Sequence, residues 1–333
     1  MRRTIAVSAA LACALNLAAC GGTGGEPAAT ASATGKGYKL GFSFGLDDTP
    51  IYGLVVGPAR KRAGQLGVSL IEGSAKSKCE AQVADMENMI VTGARAVTFL
   101  GLCGDGAAYN KVVRDGKAKG VTMVSYAFQH PEADGSITFN DEGAGQDLAA
   151  DALAWIDEKF GTTYDNFSWG LISCSFAPPS IQKRSTIPKK EITAKTGKAP
   201  LKKDCANDPK TAQETVETWL AKDPGLDMVL AHVDSAALGA YQAFKQKGAK
   251  PGSVYVGGVD GQREAVDLLA TGGDGIYQFS AALPLTGPIM VDIPNNIITG
   301  SGPASVRLNY TPLTADHPQA AKNWVTKEFE PWR

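Results

Sequence analysis

The alternation of strand-like and helix-like segments limits the possible folds of this chain more than any other feature. Short apolar segments rich in β-formers alternate with longer segments whose apolar residues recur every three or four positions. This order predicts parallel sheets with helices on both faces, and such sheets bind ligands beyond the carboxyl ends of their strands. Predicted strands occupy 38–44, 68–71, 96–100, 121–126, 137–139, 169–173, 199–203, 228–231, 254–257 and 276–279.

A predicted helix follows most of these strands. Pro58 lies inside the first helix and is expected to bend it or shorten its first part. The same rhythm restarts at Trp169, so the sequence predicts an α/β protein with two similar doubly wound parallel-sheet lobes that face each other across a cleft. Predicted helices occupy 51–66, 83–90, 111–119, 145–160, 180–196, 211–222, 235–247, 263–270 and 288–298.

The composition excludes several classes of protein. The chain has 333 residues, of which 20% are charged and 44% hydrophobic, and this is typical of about two globular domains. Lys and Arg total 33 against 34 for Asp and Glu, and the absence of a basic excess argues against binding to nucleic acid. Only 3 His are present, which argues against a His-based metal centre. We expect no metal, no cofactor and a neutral or weakly charged partner.

The first residues have the pattern of an export signal. Arg2 and Arg3 precede an apolar run that is too short to span a membrane. The segment 17–21, Leu-Ala-Ala-Cys-Gly, resembles the bacterial lipobox, in which the Cys is lipidated and becomes the new first residue. We therefore predict a signal peptide at 1–19, lipidation of Cys20, and a flexible Gly- and Ala-rich tether at 20–37 that holds the body outside the cell membrane.

Four cysteines remain in the body of the chain, and none belongs to a CxxC pair, which argues against a structural zinc site. Outside the cytosol an even number of Cys favours disulfides. Four Cys allow three pairings, among which the spacing alone does not choose. These residues are Cys79, Cys103, Cys174 and Cys205.

Four segments carry a resemblance to a known family. They are 41–68, from Gly-Phe-Ser to Leu-Gly-Val; 119–121, Lys-Gly-Val; 233–240, Val-Asp-Ser-Ala-Ala-Leu-Gly-Ala; and 256–261, Val-Gly-Gly-Val-Asp-Gly. In this order they resemble the type I periplasmic binding proteins, specifically the ribose- and galactose-type sugar receptors of ABC importers. The resemblance covers about 38–310.

The resemblance implies two lobes that exchange chain. Lobe 1 would comprise 38–140 plus 282–309 and lobe 2 would comprise 141–281 plus 310–333, joined by a three-strand hinge that closes around ligand. It also brings the ends of neighbouring strands together, so we expect one disulfide in each lobe, joining Cys79 to Cys103 and Cys174 to Cys205. Sugar-responsive repressors share these lobes, but this chain begins with a lipobox where a repressor has its DNA-reading module.

The resemblance also indicates which residues hold the ligand. A sugar needs polar groups for its hydroxyls and an aromatic ring for its C–H face. Polar partners are missing at three positions: Ala127-Phe128 replaces an Asp-Arg pair of relatives, Val233 replaces an Asn, and Ser280-Ala281-Ala282 lacks a Gln. The ligand is therefore expected to be more apolar than ribose, or differently decorated. The predicted ligand-binding residues are Asp48, Thr49, Tyr52, Tyr126, Phe128, Asn140, Arg184, Asp234 and Asp260.

Six of these residues have an alternative role. Tyr52 could pack at the start of a helix, Arg184 could be an exposed helix residue, and the Asp and Thr residues could cap helices. For Asp260 we favour the ligand role, because it follows a strand that ends at the cleft.

The function predicted is a lipid-anchored extracytoplasmic binding protein, a monomer, that delivers a sugar or polyol to an ABC permease. No Walker loop, HExxH or HxE/CxxC set supports an enzyme. The alternative is a sensory receptor that presents the same kind of ligand to a membrane sensor, and the sequence does not separate the two.

Overall fold

The computed structural model describes residues 37–49, 51–103 and 106–333. Twelve strands are found in this part of the chain. They are β1 (Lys39–Ser43), β2 (Ser69–Glu72), β3 (Ala94–Leu100), β4 (Thr122–Tyr126), β5 (Gly135–Phe139), β6 (Trp169–Ser173), β7 (Leu201–Asp204), β8 (Met228–Ala231), β9 (Tyr255–Asp260), β10 (Tyr277–Ala282), β11 (Ser305–Leu308) and β12 (Thr311–Thr314).

The strands form two six-stranded sheets, with the orders β11-β5-β4-β3-β1-β2 and β12-β10-β9-β8-β6-β7. Neighbouring strands run parallel, except that β12 pairs antiparallel with β10. The helices are α1 (Ile51–Leu66), α2 (Cys79–Val91), α3 (Asn110–Ala118), α4 (Asp141–Phe160), α5 (Pro179–Thr196), α6 (Pro209–Lys222), α7 (Asp234–Gln246), α8 (Arg263–Leu269), α9 (Thr286–Thr299) and α10 (Pro318–Trp324).

The chain passes between the two sheets at three places: from β5 into α4, from β10 into α9, and from β11 into β12. We call the first sheet with α1, α2, α3 and α9 lobe 1, and the second sheet with the remaining helices lobe 2. In lobe 1, α1 packs on α9; in lobe 2, α4 packs on α5 and α6 packs on α7. The prediction of two doubly wound parallel-sheet lobes is confirmed.

The apolar core has three clusters. One fills lobe 1 beneath α2 and α3, and a second fills the α6 and α7 side of lobe 2. The third runs without interruption from Leu40 and Phe42 on β1 to Trp169 and Leu171 on β6, and so joins the two sheets. Burial of these side chains supplies the main driving force for folding and fixes the strand ends on which the site is built.

The structure differs from the sequence analysis at two places. Helix α1 continues through Pro58 from Ile51 to Leu66, so Pro58 does not shorten it. Burial of Val55, Ala59 and Ala63 on one face stabilises the helix despite the backbone hydrogen bond that Pro58 cannot make. Strands β11 and β12 and helix α10 were not predicted, because β11 and most of β12 are exposed or half-buried, and no continuous apolar segment marks them.

Candidate functional site

A buried arginine on α5 is the centre of the site in lobe 2. Arg184 is only 3% exposed, and its guanidinium has partners on three sides. Nε donates to Oδ1 of Asp141 at 2.7 Å, and Nη1 donates to Oδ1 of Asp260 at 2.7 Å and to the His232 carbonyl at 3.4 Å. Nη2 donates to the Tyr310 hydroxyl. The arrangement holds the guanidinium plane in one orientation.

Four separate segments bring these groups together. Asp141 is the first residue of α4, Asp260 is the last residue of β9, and Tyr310 lies in the passage from β11 to β12. Arg184 shares the buried face of α5 with Pro188 and Ile192, at spacings of four residues, and so it points toward the protein rather than into solvent. The Arg184 centre, which we define as Arg184, Asp141, Asp260 and Tyr310, therefore lies where two of the three passages between the sheets begin or end.

The charges of this centre do not cancel. One guanidinium faces the two carboxyl groups of Asp141 and Asp260. Burial alone would lower the pKa of Arg184, but Tyr310, Asp260 and Asp141 raise it above its ordinary value, so Arg184 stays charged. Burial raises the pKa of Asp260, and Arg184 counteracts part of that rise. A single cation between two carboxyl groups favours a ligand that brings no negative charge.

Two acceptor atoms at this centre have no protein donor within the described residues. Oδ2 of Asp141 is fully buried and accepts no hydrogen bond. The side chain of Asp260 is 19% exposed, and only its Oδ1 is bonded to Arg184. A buried acceptor without a partner is costly, so it marks a position where a further donor would be bound favourably.

The backbone of Asp260 has an unusual conformation. Its φ is 116°, a region that residues with a side chain seldom adopt. Strained residues of this kind cluster at functional sites, where the surrounding structure holds them. Here the strain occurs at the carboxyl end of β9, which is the edge of the sheet where α/β proteins bind ligands.

Lobe 1 presents aromatic rings near the same centre. Tyr126 ends β4 and makes edge contacts with Phe44 at 5.9 Å and Phe139 at 5.2 Å between ring centroids. Its hydroxyl shares a 2.7 Å hydrogen bond with Oγ1 of Thr286 at the start of α9. Burial raises the pKa of Tyr126 above its ordinary value, and the charge of Asp260 in lobe 2 acts in the same direction.

The loop after β1 and the start of α1 form the neighbouring part of lobe 1. The Tyr52 ring lies 6.2 Å from that of Phe44, and its hydroxyl donates to Oε2 of Glu72 at 2.9 Å. Glu72 also accepts two hydrogen bonds from Arg60. Burial and the bond to Glu72 raise the pKa of Tyr52 to about 12. The hydroxyl of Tyr52 is therefore used within lobe 1, and its ring is what remains for a ligand.

Asp48 and Thr49 lie in the same loop and already have protein partners. Asp48 is exposed, and its Oδ1 accepts a hydrogen bond from the Ser77 hydroxyl at 2.5 Å. The Thr49 hydroxyl donates to the Leu46 carbonyl at 2.6 Å. Neither side chain makes a hydrogen bond or ion pair to the Arg184 centre, so their ligand role stays a prediction.

Comparison with known proteins identifies the family. A model described as a periplasmic binding protein domain matches residues 41–282. The chain belongs to the periplasmic binding protein family.

Solved structures agree with the type I fold of this periplasmic binding protein. A galactofuranose binding protein superimposes with a TM-score of 0.72 at 18% identity, covering 89% of this chain and 100% of that one. A solute binding protein from Bacillus halodurans with bound myo-inositol gives 0.72 at 16% identity, covering 87% and 98%. A Mycobacterium smegmatis protein in complex with β-D-fucofuranose gives 0.73 at 18%, covering 88% and 98%. No curated protein matches the sequence.

Three predicted ligand residues of this binding protein have side chains that contact other protein groups. Phe128 packs against Phe99 and Tyr109 in the core of lobe 1. Asn140 caps α4 by accepting from the Gly143 amide at 3.4 Å. Asn140 also accepts a hydrogen bond from Arg307 at 2.7 Å. Asp234 is fully buried, and both of its carboxylate oxygens are engaged by protein donors.

An aromatic residue that the sequence analysis did not single out lies in the loop between β6 and α5. Phe176 is 82% exposed, which makes it the most exposed large hydrophobic side chain in the described part of the chain. It lies beyond the carboxyl end of β6, next to the disulfide at Cys174. A large apolar residue three positions after a buried strand is the sequence signal that could have indicated it.

Both expected disulfides of the binding protein are present. Cys79 is joined to Cys103 in lobe 1 and Cys174 is joined to Cys205 in lobe 2, with Cα atoms 5.2 Å and 4.3 Å apart. The first bond joins the start of α2 to the loop after β3, and the second joins the loops after the neighbouring strands β6 and β7. The predicted pairing is confirmed.

Several predictions fall on residues that the structure does not describe. The signal peptide at 1–19, the lipidation of Cys20 and residues 20–36 of the tether all lie outside the described residues. Over 37–49, 51–103 and 106–333, no helix is long and apolar enough to cross a membrane. The same residues contain no group of three or more His, Cys, Asp or Glu side chains that could hold a metal ion.

Proposed function

We propose that this protein is a lipid-anchored, extracytoplasmic solute-binding protein that captures an uncharged sugar or polyol between its lobes and delivers it to an ABC importer. The observation that carries the proposal is the Arg184 centre. It is preorganised by four protein contacts, yet one carboxylate oxygen of Asp141 and one of Asp260 have no protein donor. Hydroxyl groups are donors of the required kind.

The charge of the centre supports a neutral ligand. Asp260 has a free oxygen at the cleft and Asp141 has a buried one, while Arg184 is already paired with both residues. A phosphate or carboxylate would meet these acceptor oxygens without finding an unpaired cation. A hydroxyl would donate to Oδ2 of Asp260 with no change in net charge. Sugar acids are therefore expected to bind much more weakly than neutral sugars.

Aromatic rings on the two sides of the cleft support a ligand with an apolar face. Phe176 is exposed in lobe 2, and Tyr52 presents its half-buried ring in lobe 1. Such rings bury the C–H face of a sugar while polar groups bind its hydroxyls. The bound molecules of the structural relatives, myo-inositol and β-D-fucofuranose, are uncharged and rich in hydroxyls. This combination supports a compact polyhydroxy ligand for the present chain.

A thermal-shift screen followed by calorimetry tests the proposal. The panel contains pentoses and hexoses that form furanose and pyranose rings, inositols and linear polyols, with uronic acids and sugar phosphates as anionic controls. At about 100 times its Kd a neutral ligand should stabilise the protein by roughly 2.7 kcal/mol, which corresponds to a rise of several degrees in Tm. Stabilisation only by the anionic compounds, or by none of the panel, would contradict the proposal.

The variant Asp260→Asn tests the site itself. It keeps the shape of the side chain but removes one carboxylate, so affinity for the best neutral ligand should fall by about tenfold or more. The matched control is Asp274→Asn in the same lobe. Asp274 also has a positive φ, 53°, but it bonds to Tyr241 and Lys245 before the start of β10, away from the cleft. Equal losses in both variants would show that the pocket is assigned wrongly.

Anchoring and delivery need a separate experiment. Mass spectrometry of the protein purified from membranes should show Cys20 as a lipidated first residue, and Cys20→Ser should release the protein from the membrane fraction. If solute uptake by cells falls when the gene is deleted and Asp260→Asn does not restore it, the importer role is supported. If deletion of the gene leaves uptake unchanged although the purified protein binds the solute normally, the importer role is contradicted.

A further inference from the structure

Asp234 is a buried carboxylate whose two oxygens both accept hydrogen bonds from the protein. It is the first residue of α7 and has an exposed fraction of 0%. Oδ1 accepts a hydrogen bond from the Tyr277 hydroxyl at 2.8 Å, and Oδ2 accepts from the Ser280 hydroxyl at 2.7 Å. These two contacts join α7 to β10. Oδ2 of Asp234 also accepts two further hydrogen bonds, which the joining of α7 to β10 does not explain.

The further partners are two consecutive backbone amides of the loop after β9. Gly261 and Gln262 donate to Oδ2 of Asp234 at 2.7 Å and 2.8 Å. Both residues follow Asp260 directly, and the φ angles of Asp260 and Gly261 are 116° and 73°. Successive amides in turns of this kind form a concave binding site for an anion. The anion in this structure is a side chain of the protein itself.

We propose that Asp234 is a positioning residue for the ligand site: its carboxylate binds the Gly261 and Gln262 amides and thereby holds Asp260 in the conformation that directs its side chain to Arg184. The consequence for ligand rests on the proposed function, because it takes Asp260 as a ligand contact. The positioning itself is a property of the protein without ligand.

Close packing around Asp234 supports this role. A Cβ atom on Gly258 would lie 2.4 Å from Oδ1 of Asp234, and a Cβ atom on Gly261 would lie 2.6 Å from the Cβ of Ala282. Both positions therefore need glycine so that the end of β9 can approach α7 and β10 closely. The loop that carries Asp260 is held between Asp234 on one side and Ala282 on the other.

The groups around Asp234 make its ionisation measurable. Asp260 on β9 brings a like charge, Tyr277 on β10 donates a hydrogen bond, and Arg184 on α5 is bonded to Asp260. Burial and the charge of Asp260 raise the pKa of Asp234 to about 7, against the effect of its hydrogen-bond donors. Burial and the charge of Arg184 lower the pKa of nearby His232 to about 4, so His232 stays neutral where Asp234 titrates.

Hydrogen exchange of backbone amides, measured by NMR on the full chain well above pH 7 and without ligand, tests the proposal. In Asp234→Asn the amides of Gly261 and Gln262 should exchange about tenfold faster or more, because they lose a charged acceptor. The Nη1–H resonance of Arg184 should move as well, since Nη1 donates to Asp260, which is no longer held in place. Ser280→Ala is the matched control: it removes one partner of Asp234, leaves both amides bonded, and should change neither readout.

Each outcome decides the question. If both amides keep their exchange rates in a folded Asp234→Asn protein, or if they exchange faster while the Arg184 resonance stays in place, Asp234 does not position Asp260. If the variant does not fold, the wild-type protein is titrated instead. The Gly261 and Gln262 amide resonances should then shift together with the Asp234 carboxyl resonance, and independent shifts would overturn the proposal. A failed sugar screen contradicts the proposed function and leaves this result unaffected.

Discussion

The two lobes differ in chemistry although they have the same architecture. Lobe 2 carries a buried charged centre in which Arg184 is bonded to Asp141, Asp260 and Tyr310. Lobe 1 carries rings, with Tyr126 packed between Phe44 and Phe139 and bonded only to Thr286. The same α/β framework therefore carries directional hydrogen-bonding groups in lobe 2 and aromatic packing surfaces in lobe 1. We expect specificity for hydroxyl positions to depend mainly on lobe 2.

The largest effect is expected when the charged centre is broken. Arg184→Met leaves the buried carboxyl groups of Asp141 and Asp260 without their cation and should destabilise the protein by about 3–5 kcal/mol, as measured by urea unfolding. The matched control is Arg263→Met in the same lobe, which breaks a partly exposed pair with Asp267 and should cost less than about 1 kcal/mol. Similar losses in both variants would contradict the special role of Arg184.

Removing each disulfide tests whether the two lobes, which differ in chemistry, gain equal stability from their cross-links. The bonds close segments with sequence separations of 24 in lobe 1 and 31 in lobe 2. The chain-entropy relation gives about 3.5 kcal/mol for each. Replacing Cys79 and Cys103 with Ala, or Cys174 and Cys205 with Ala, should therefore lower the free energy of unfolding by similar amounts. A loss confined to one pair would show that the lobes unfold separately.

A pH series isolates the contribution of Asp234 in lobe 2 to the stability of the protein. The pKa of Asp234 is raised in the folded state to about 7, so its contribution to stability is largest in acid and is lost as pH rises through about 7. Between about pH 8 and pH 6 the stability of wild type relative to Asp234→Asn should rise by roughly 1 kcal/mol. Denaturant unfolding of both proteins over this range measures the difference.

The buried histidines determine how the stability of Asp234→Asn by itself should change with pH. The pKa of buried His232 is lowered to about 4 in the folded state, so its contribution to stability is lost as pH falls below its ordinary value. Burial also lowers the pKa of His130. Asp234→Asn should therefore lose stability on acidification, while the wild type loses less. Parallel curves for the two proteins would show that Asp234 does not titrate in this range.

The sequence was sufficient for the architecture, and it indicated two residues of the candidate site. Apolar periodicity predicted the βα units because burial decides those elements, and the resemblance directed attention to Arg184 and Asp260. The partners of Asp234 could not be predicted, since Tyr277 and Ser280 lie 43 and 46 residues away and meet it only through sheet order. The crossing strands β11 and β12 could not be predicted from apolar pattern, because pairing with β5 and β10 forms them.

The smallest effect is expected in lobe 1. Tyr126→Phe keeps the ring between Phe44 and Phe139 and removes only the hydroxyl bonded to Thr286, so the free energy of unfolding should fall by about 1 kcal/mol. Affinity for a neutral ligand should change little, because the ring remains. The control is Tyr164→Phe, which removes an exposed bond to the Gly161 carbonyl and should have almost no effect on stability. If Tyr126→Phe instead lowers affinity as strongly as Asp260→Asn, then lobe 1 also reads hydroxyl positions, and the division between a charged side and an aromatic side is wrong.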